Sequence, residues 1–551
     1  MGGAENRLVT PRAVRTAVVV VALAAAAIAG WQRARETSAR STAGVPSRIM
    51  FVYSSDADDL IAPLIRRFNR QQAGTADEIR LRGVSLASGQ AEAEIRDGVT
   101  RAVAWMPAAS VWEEILDADA QQPWAARGGP SIVKSPEVMA MWHGIANRAF
   151  HWPNEPVSWR DIVAVVTSGR SIARGLEFRL GHTNPDFSTS GLFAAISEYY
   201  ALAGKTGNIT IPDIQRTHGR VRRLESSIVH YGEKASDFCH PMARFGPAYV
   251  SMVYMQETTL VDCNKLLHKT RHAKLDGIFP SDGTFVADYP YVVLGAPWVS
   301  PAEASGAREF GRWLRDEVTL KLAHDNGFRT PQNFATPPDV RFGAASEPST
   351  ILAPPPDAAV VNAIREAWRQ DRKPANIELV VGLERSATGD QAVAELRQAL
   401  RRLLREVSDR DRVGMVDAGA AASAPVPLSS YARDRKQLAH AIASLHPTGG
   451  VALYDAVSEA VTDIRKVEDE SRIDAVIVVT NAPDIGSHTS LSRLLDRVGT
   501  GSATDPARIR VFAVTYGKAA PGRSLDAVAK ASGGSRSGDL ADVYEQIASF
   551  F

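Results

Sequence analysis

The stretch NIELVVGLERSATGD, Asn376 to Asp390, decides how the last third of the chain folds. Ile377 to Val381 is a short apolar run of the kind that makes a strand buried on both faces. A loop with Gly382, Ser386 and Gly389 follows. The next helix carries Val393, Leu396, Leu400, Leu403 and Val407 at helical spacing. In an alternating α/β domain, a loop leaving the carboxyl end of the first strand lies where such folds bind ligands.

Toward the C-terminus the alternation continues. Arg412-VGMVDAG reads as a strand, Leu438 to Leu445 as a helix, and Pro447-TGGVALYDAVSEAVTDI as a turn opening a helix. Ile473-DAVIVVTNAPD is a buried strand, Leu491 to Val498 a helix and Ile509-RVFAVTYG a strand; helices over 524–531 and 539–551 close the chain. Such alternation implies a parallel sheet covered on both faces. The order resembles a von Willebrand factor A domain over 375–551, on the pieces PTGGVALYDAV, VIVVTNAPD, VFAVTYG and VYEQIASFF.

That resemblance implies a Rossmann-like domain with a central parallel sheet. It also implies a divalent cation held by an Asp-x-Ser-x-Ser loop, a Thr and a later Asp. Hard cations take oxygen ligands and need carboxylates among them. Aligned on the flanking strands, the first Asp falls on Gly382 and the first Ser on Glu384, while Ser386 keeps its type. The Thr falls on Val451 and the later Asp on Asn481. Glu384, with Arg385 beside it, is the single carboxylate left. The expectation is a degenerate site with no metal and no cofactor, and a surface that contacts an unidentified protein partner.

On the N-terminal side, Asp357-AAVVNAIREAWRQDRKP reads as a helix packing at the edge of this domain, and Phe334 to about Pro356 as a semi-extended linker. Together they make up 334–374. Before them, 47–333 alternates strands with helices: Ile49-MFVYSS, Glu78-IRLRGVS, Arg101-AVAWMP and Leu176-EFRLG are strands, and each is followed by a helical pattern. Ser54, Ser55, Ser88, Ser110, Thr183 and Asn184 stand at the strand-end turns. Five hydroxyls at equivalent places make them candidate ligands for one small polar solute, although Ser and Thr also occur there simply as helix caps.

Gly181-HTNPDFSTSGL, Leu275-DGIFPSDGTFVADYPYVVL and Gly327-Phe328-Arg329 resemble bacterial extracellular solute-binding proteins, of the two-lobed class that includes the oxyanion binders of ABC importers. The resemblance implies two α/β lobes joined by crossover strands, with a solute in the cleft. Both halves together look like actinobacterial membrane proteins that join such a domain to a von Willebrand factor A module. A hydrolase is not expected. His182, Asp186 and Ser188 are near in sequence, but no nucleophile, base and oxyanion hole assemble around them and there is no GxSxG elbow. His230, His240, His268, His272 and His324 lack ligand-like spacing.

The N-terminus addresses the chain. Arg7, Arg12 and Arg15 precede an apolar run of about 15 residues, short for a spanning helix and suited to a signal h-region. Ala27-Ile28-Ala29 before Gly30 offers a cleavage site, whereas Trp31 with Arg33 and Arg35 suits an uncleaved anchor. The division is 1–12 cytoplasmic, 13–32 signal-anchor or signal peptide, and 33–46 tether. The remainder is expected outside the cell membrane, tethered by a single pass or secreted after cleavage. In that oxidising compartment the two cysteines, Cys239 and Cys263, are expected to pair. With 63 Lys plus Arg against 62 Asp plus Glu, the net charge of +1 gives no footprint for nucleic acid.

Overall fold

The computed structural model describes residues 48–74, 79–125, 128–169, 172, 177–232, 234–344, 347–385, 389–467, 469, 471–499, 509–515, 522–532, 534 and 536–537. The segment 13–32 with its flanks, Ser386 and the closing helix expected over 539–551 lie outside the described residues. No helix among the described residues is long and apolar enough to cross a membrane. By its own contacts the chain divides into residues 49–68 with 81–551, which carry both domains, and residues 1–48 with 69–80.

The first domain contains β1 (Arg48–Ser54), β2 (Arg80–Leu86), β3 (Ala104–Met106), β4 (Ser135–Trp142), β5 (Leu180–Gly181), β6 (Met252–Gln256), β7 (Leu275–Ile278), β8 (Val286–Ala287) and β9 (Val292–Val293). They form two sheets. One has the order β2-β1-β3-β9, and the other β5-β6-β4-β7 with β8 beside β4. β1 and β3 pair in parallel, as a strand–helix–strand unit requires, while β6, β7 and β8 all run antiparallel to β4. The strand expected from Leu176 shrinks to Leu180–Gly181.

The chain passes from the first lobe to the second just before β4 and returns after β8. The two passes are tied by a bridge between Ser131 and Pro290, and a later segment joins the first pass through a bridge between Lys134 and Arg329. Arg329 is fully buried and makes two 2.7 Å bonds to the carboxylate of buried Glu257. Cys239 and Cys263 are joined, with Cα atoms 5.0 Å apart across a sequence separation of 24. Closing a loop of that length contributes about 3 kcal/mol by the chain-entropy estimate.

Helices follow these strands: α1 (Ser88–Arg96) and α2 (Val111–Ala120) in the first lobe and α3 (Thr189–Ala203) in the second, with α4 (Ile211–Glu225) following α3. The 334–356 segment is not a free linker, because its backbone groups find partners on the first domain. Phe334 O accepts from Arg329 Nη1 at 2.7 Å, Phe342 O from Asn264 Nδ2 at 2.8 Å, and Leu352 N donates to Thr284 O at 2.8 Å. The following helix, α5 (Ala358–Asp371), lies against α2, α3 and α4 rather than at the edge of the second domain. Its apolar face (Val361, Ile364, Trp368) is fully buried there.

The second domain has β10 (Ala375–Gly382), β11 (Arg412–Ala418), β12 (Ala422–Ser430), β13 (Ile473–Thr480), β14 (Arg510–Thr515) and β15 (Arg536–Ser537), in the order β12-β11-β10-β13-β14-β15. This is a doubly wound sheet whose order reverses between β10 and β13, the topological switch point of such folds. The strand Ala422–Ser430 has no counterpart in the sequence pattern. Pro425 and Pro427 break the strand pattern there, and the sheet accommodates them because β12 is an antiparallel edge strand.

Candidate functional site

Ser54 ends β1 and is buried; its Oγ donates to Asp56 Oδ2 at 3.3 Å. Ser55 opens the short 3-10 turn Ser55–Ala57 and is half-buried. Ser88, the first residue of α1, is buried and its Oγ accepts from Ala108 N at 2.9 Å. Ser110 precedes α2, and its N donates to Asp288 Oδ1 at 2.8 Å. Thr183 is fully buried, with its Oγ1 lacking a hydrogen-bond partner among the described residues. Asn184 is buried and its Oδ1 accepts from Asp186 N at 2.8 Å, an Asx turn.

These turns meet across the cleft. Gly89 N donates to Phe187 O at 2.8 Å, joining the start of α1 to the loop after β5. A Cβ on Gly89 would lie 2.1 Å from Asp186 O, so only glycine permits this approach. Trp112 Nε1 of α2 donates to Thr189 Oγ1 at 2.9 Å. The lobes are therefore shut directly on one another.

Sequence reasoning missed the acids at the cleft floor. Asp56 Oδ2 accepts from Gln256 Nε2 at 3.3 Å, and Gln256 Oε1 accepts from Tyr289 OH at 2.6 Å. These residues come from the first lobe, the second lobe and the returning crossover. Tyr289 holds φ at 41°, a left-handed backbone that costs a non-glycine residue about 1–2 kcal/mol. Glu137 of β4 is fully buried; Oε1 accepts from Ser190 Oγ at 3.0 Å and Oε2 has no partner among the described residues. Burial raises the Asp56 carboxyl above its ordinary value, and burial with Asp56 nearby raises Glu137 well above its own. Lys234 nearby opposes the rise at Asp56, so the floor brings two carboxyl groups together beside one cation.

α5 straps the closed cleft. Arg365 Nε donates to Asp186 Oδ1 at 2.8 Å, and Arg369 donates to both Asp186 oxygens at 2.7 and 2.9 Å. On the other lobe, the Arg365 guanidinium stands 5.6 Å from the Trp112 ring centroid, and Asn362 Nδ2 donates to Asp119 Oδ1 at 3.0 Å. Burial alone would raise Asp186, but the two guanidinium groups hold it below the usual aspartate value.

Beneath α5 lies a second buried cluster that spacing alone did not reveal. His182, Glu198 of α3 and Glu225 of α4 are all fully buried. His182 Nε2 is 3.2 Å from Glu225 Oε1 and 3.7 Å from Glu198 Oε1. The sequence separation of 43 between His182 and Glu225 leaves no local motif.

At the switch point of the second domain, Asn481 Oδ1 accepts from Glu384 N at 3.0 Å. Thr448 N and Oγ1 both donate to Leu383 O, at 2.9 and 3.3 Å. Val451 fills the remaining space, since a Cβ on Gly382 would lie 2.8 Å from Val451 Cγ1. Among the described residues, one carboxylate, an engaged amide and a methyl group do not fit a divalent cation.

Two α/β lobes joined by crossover strands, with residues of both lobes meeting over a polar cleft, define a solute-binding protein. Residues 49–329 match the model of the bacterial extracellular solute-binding protein family, and the chain belongs to that family. No curated protein sequence matches it. Among solved structures it is similar to a periplasmic thiamin-binding protein (14% identity, 60% of this chain and 99% of that one, TM-score 0.43). It is similar also to the sulfate-binding protein SubI from Mycobacterium tuberculosis H37Rv (16% identity, 56% and 94%, TM-score 0.37). A von Willebrand factor type A structure from Catenulispora acidiphila is similar over 32% of this chain and 41% of that one, at 16% identity and TM-score 0.26.

Proposed function

We propose that the first domain binds a small cationic solute, or a neutral one rich in hydrogen-bond donors, between its lobes. The observation that carries this reading is half-buried Asp56, held by Ser54 of one lobe and Gln256 of the other. Glu137 stands behind it, so a cationic or donor-rich solute would find two acceptor carboxyl groups there once they ionise, with Lys234 beside Asp56. Ser55, Ser88, Ser110, Thr183 and Asn184 then form the polar walls. The second domain makes protein contacts around Glu384 and Arg385 that need no divalent cation. The segment 13–32 holds the protein at the outer face of the membrane, or is removed on export, as in the membrane proteins the sequence resembles.

A second reading has its own support. Ser54, Ser88, Thr189 and Ser190 already serve protein partners, as in a domain that has become a scaffold. A thermal-shift screen of the full chain against diamines, quaternary amines, cationic amino acids, neutral sugars, sulfate and phosphate separates the two. The expected result is a saturable rise with a cationic or neutral solute, about 2.7 kcal/mol at a hundredfold excess over Kd, that Asp56→Asn abolishes. A rise with sulfate or phosphate alone overturns the cation reading, and a flat response to all of them favours the scaffold.

A further inference from the structure

We propose that His182, Glu198 and Glu225 form a structural site for a divalent transition metal, zinc before others, beneath α5. The three side chains come from three elements: the turn after β5, α3 and α4. Each offers one ligand atom, and these atoms lie within 4.8 Å of one another. Around a tetrahedral zinc with bonds of 2.0–2.2 Å, neighbouring ligand atoms stand about 3.3–3.5 Å apart. The His182 Nε2 separations of 3.2 Å to Glu225 Oε1 and 3.7 Å to Glu198 Oε1 bracket that spacing.

The tautomer agrees. His182 Nδ1 is 2.7 Å from Thr183 O, and a carbonyl only accepts, so Nδ1 carries the proton. In the neutral ring, Nε2 then presents a lone pair to two carboxyl groups. Metal-bound histidines commonly have their other nitrogen fixed to a carbonyl in this way. Glu225 has the matching outer support: Tyr231 OH donates to Oε2 at 2.5 Å and Trp368 Nε1 of α5 to Oε1 at 2.9 Å.

Glu198 supplies the independent sign of a missing partner. It is fully buried, and its carboxylate oxygens meet no N–H or hydroxyl donor among the described residues, only the carboxyl of Glu225 beside them. A buried polar group left in that state costs about 1–3 kcal/mol, and more if charged. One dication neutralises two carboxylates and fills the Nε2 lone pair at once. The competing way to satisfy the same atoms is two protons, one on Nε2 and one on Glu198.

Because α5 covers the cluster through Trp368, the ion is taken up as the chain folds and does not exchange in the native state. Its role is to lock the turn that carries Thr183 and Asn184 onto α3 and α4.

The test is metal content of the full chain purified without chelator. The expected result is about one equivalent of zinc that survives native dialysis against EDTA and is released on unfolding. X-ray absorption should show nitrogen and oxygen ligands at about 2.0–2.2 Å and no sulfur. After unfolding in chelator, refolding with zinc should raise Tm by several degrees over refolding without it. Glu198→Gln should lose the ion; if that variant fails to fold, the stoichiometry and absorption spectrum of the unmodified protein still decide. Metal-free native protein whose refolded Tm ignores zinc overturns the proposal in favour of protons. So does zinc retained at the same stoichiometry in folded Glu198→Gln and His182→Gln.

Discussion

Single residues show how burial, rather than residue type, sets the chemistry here. Glu378 sits in the middle of β10, 1% exposed, opposite Gly414 of β11. Its carboxylate occupies the space a side chain at Gly414 would need, since a Cβ there would lie 2.4 Å from Glu378 Oε1. Burial first, then Asp463 and Glu459, pushes the Glu378 carboxyl up to about 9. A folded value above the unfolded one means the stabilisation is complete below about pH 4.3 and is lost as pH rises toward 9. Glu378→Gln, always neutral, should therefore raise stability by about 1 kcal/mol at pH 5 and by about 4–5 kcal/mol at pH 8. Denaturant unfolding at the two pH values checks this; an equal effect at both would show that the carboxyl is not protonated in the fold. Alternation of apolar residues marks Glu378 as part of a strand but says nothing of its ionisation.

At the scale of one element, α5 decides whether the cleft opens. Its helical period was legible, because Val361, Ile364 and Trp368 share a face. Its neighbour was not. The opposite expectation, packing on the second domain, rested on chain proximity, whereas Asp186 and Glu225 of the second lobe and Trp112 and Asp119 of the first lie far back in sequence and together draw α5 onto both lobes. Arg365→Ala with Arg369→Ala leaves Asp186 buried beside Gly89 without its cations, at a cost of about 3–5 kcal/mol. The ion pairs also carry a pH signature. A depressed aspartate contributes stability above its unfolded value of about 3.9, lost as pH falls through the folded value. Between pH 5 and pH 3 the unmodified protein should lose more stability than the double variant, as read by urea unfolding. The same variant should bind solute faster, because opening no longer breaks the strap; identical pH profiles and association rates would reject α5 as a lock.

Across the whole molecule, both domains share their junction. Arg372 at the end of α5 makes a buried ion pair with Asp411 at 2.7 Å, and Asp411 Oδ1 accepts from Ala375 N at 2.8 Å at the start of β10. Lys373 N donates to Tyr231 OH at 2.9 Å, and Lys373 Nζ to Ile228 O at 3.1 Å. The seam is thus polar, buried and continuous with the strap. A thermal melt of the intact chain therefore reads a ligand at either end, through the transition of the domain that binds it. At millimolar calcium or magnesium that transition should stay within about a degree, since Gly382, Val451 and the engaged Asn481 offer too little charge to offset dehydration of a hard cation. A saturable rise of several degrees would restore the second domain as an ion-dependent contact surface.

The sequence by itself determined the alternation of strands and helices, the doubly wound second domain and the substituted positions at its carboxyl edge. These follow from local periodicity and from residue identity along one strand–loop–helix unit. It also marked Gly181-HTNPDFSTSGL as the sharpest loop of the first domain. Only the tertiary structure decided what that loop faces. Burial and the meeting of distant side chains come from packing, so the raised Asp56 and Glu137, the Asp186 strap and the His182 cluster had no one-dimensional signal. Ala375–Gly382 keeps the strand expected there. What the fold adds is that Val451 closes against Gly382 where a ligand atom would stand.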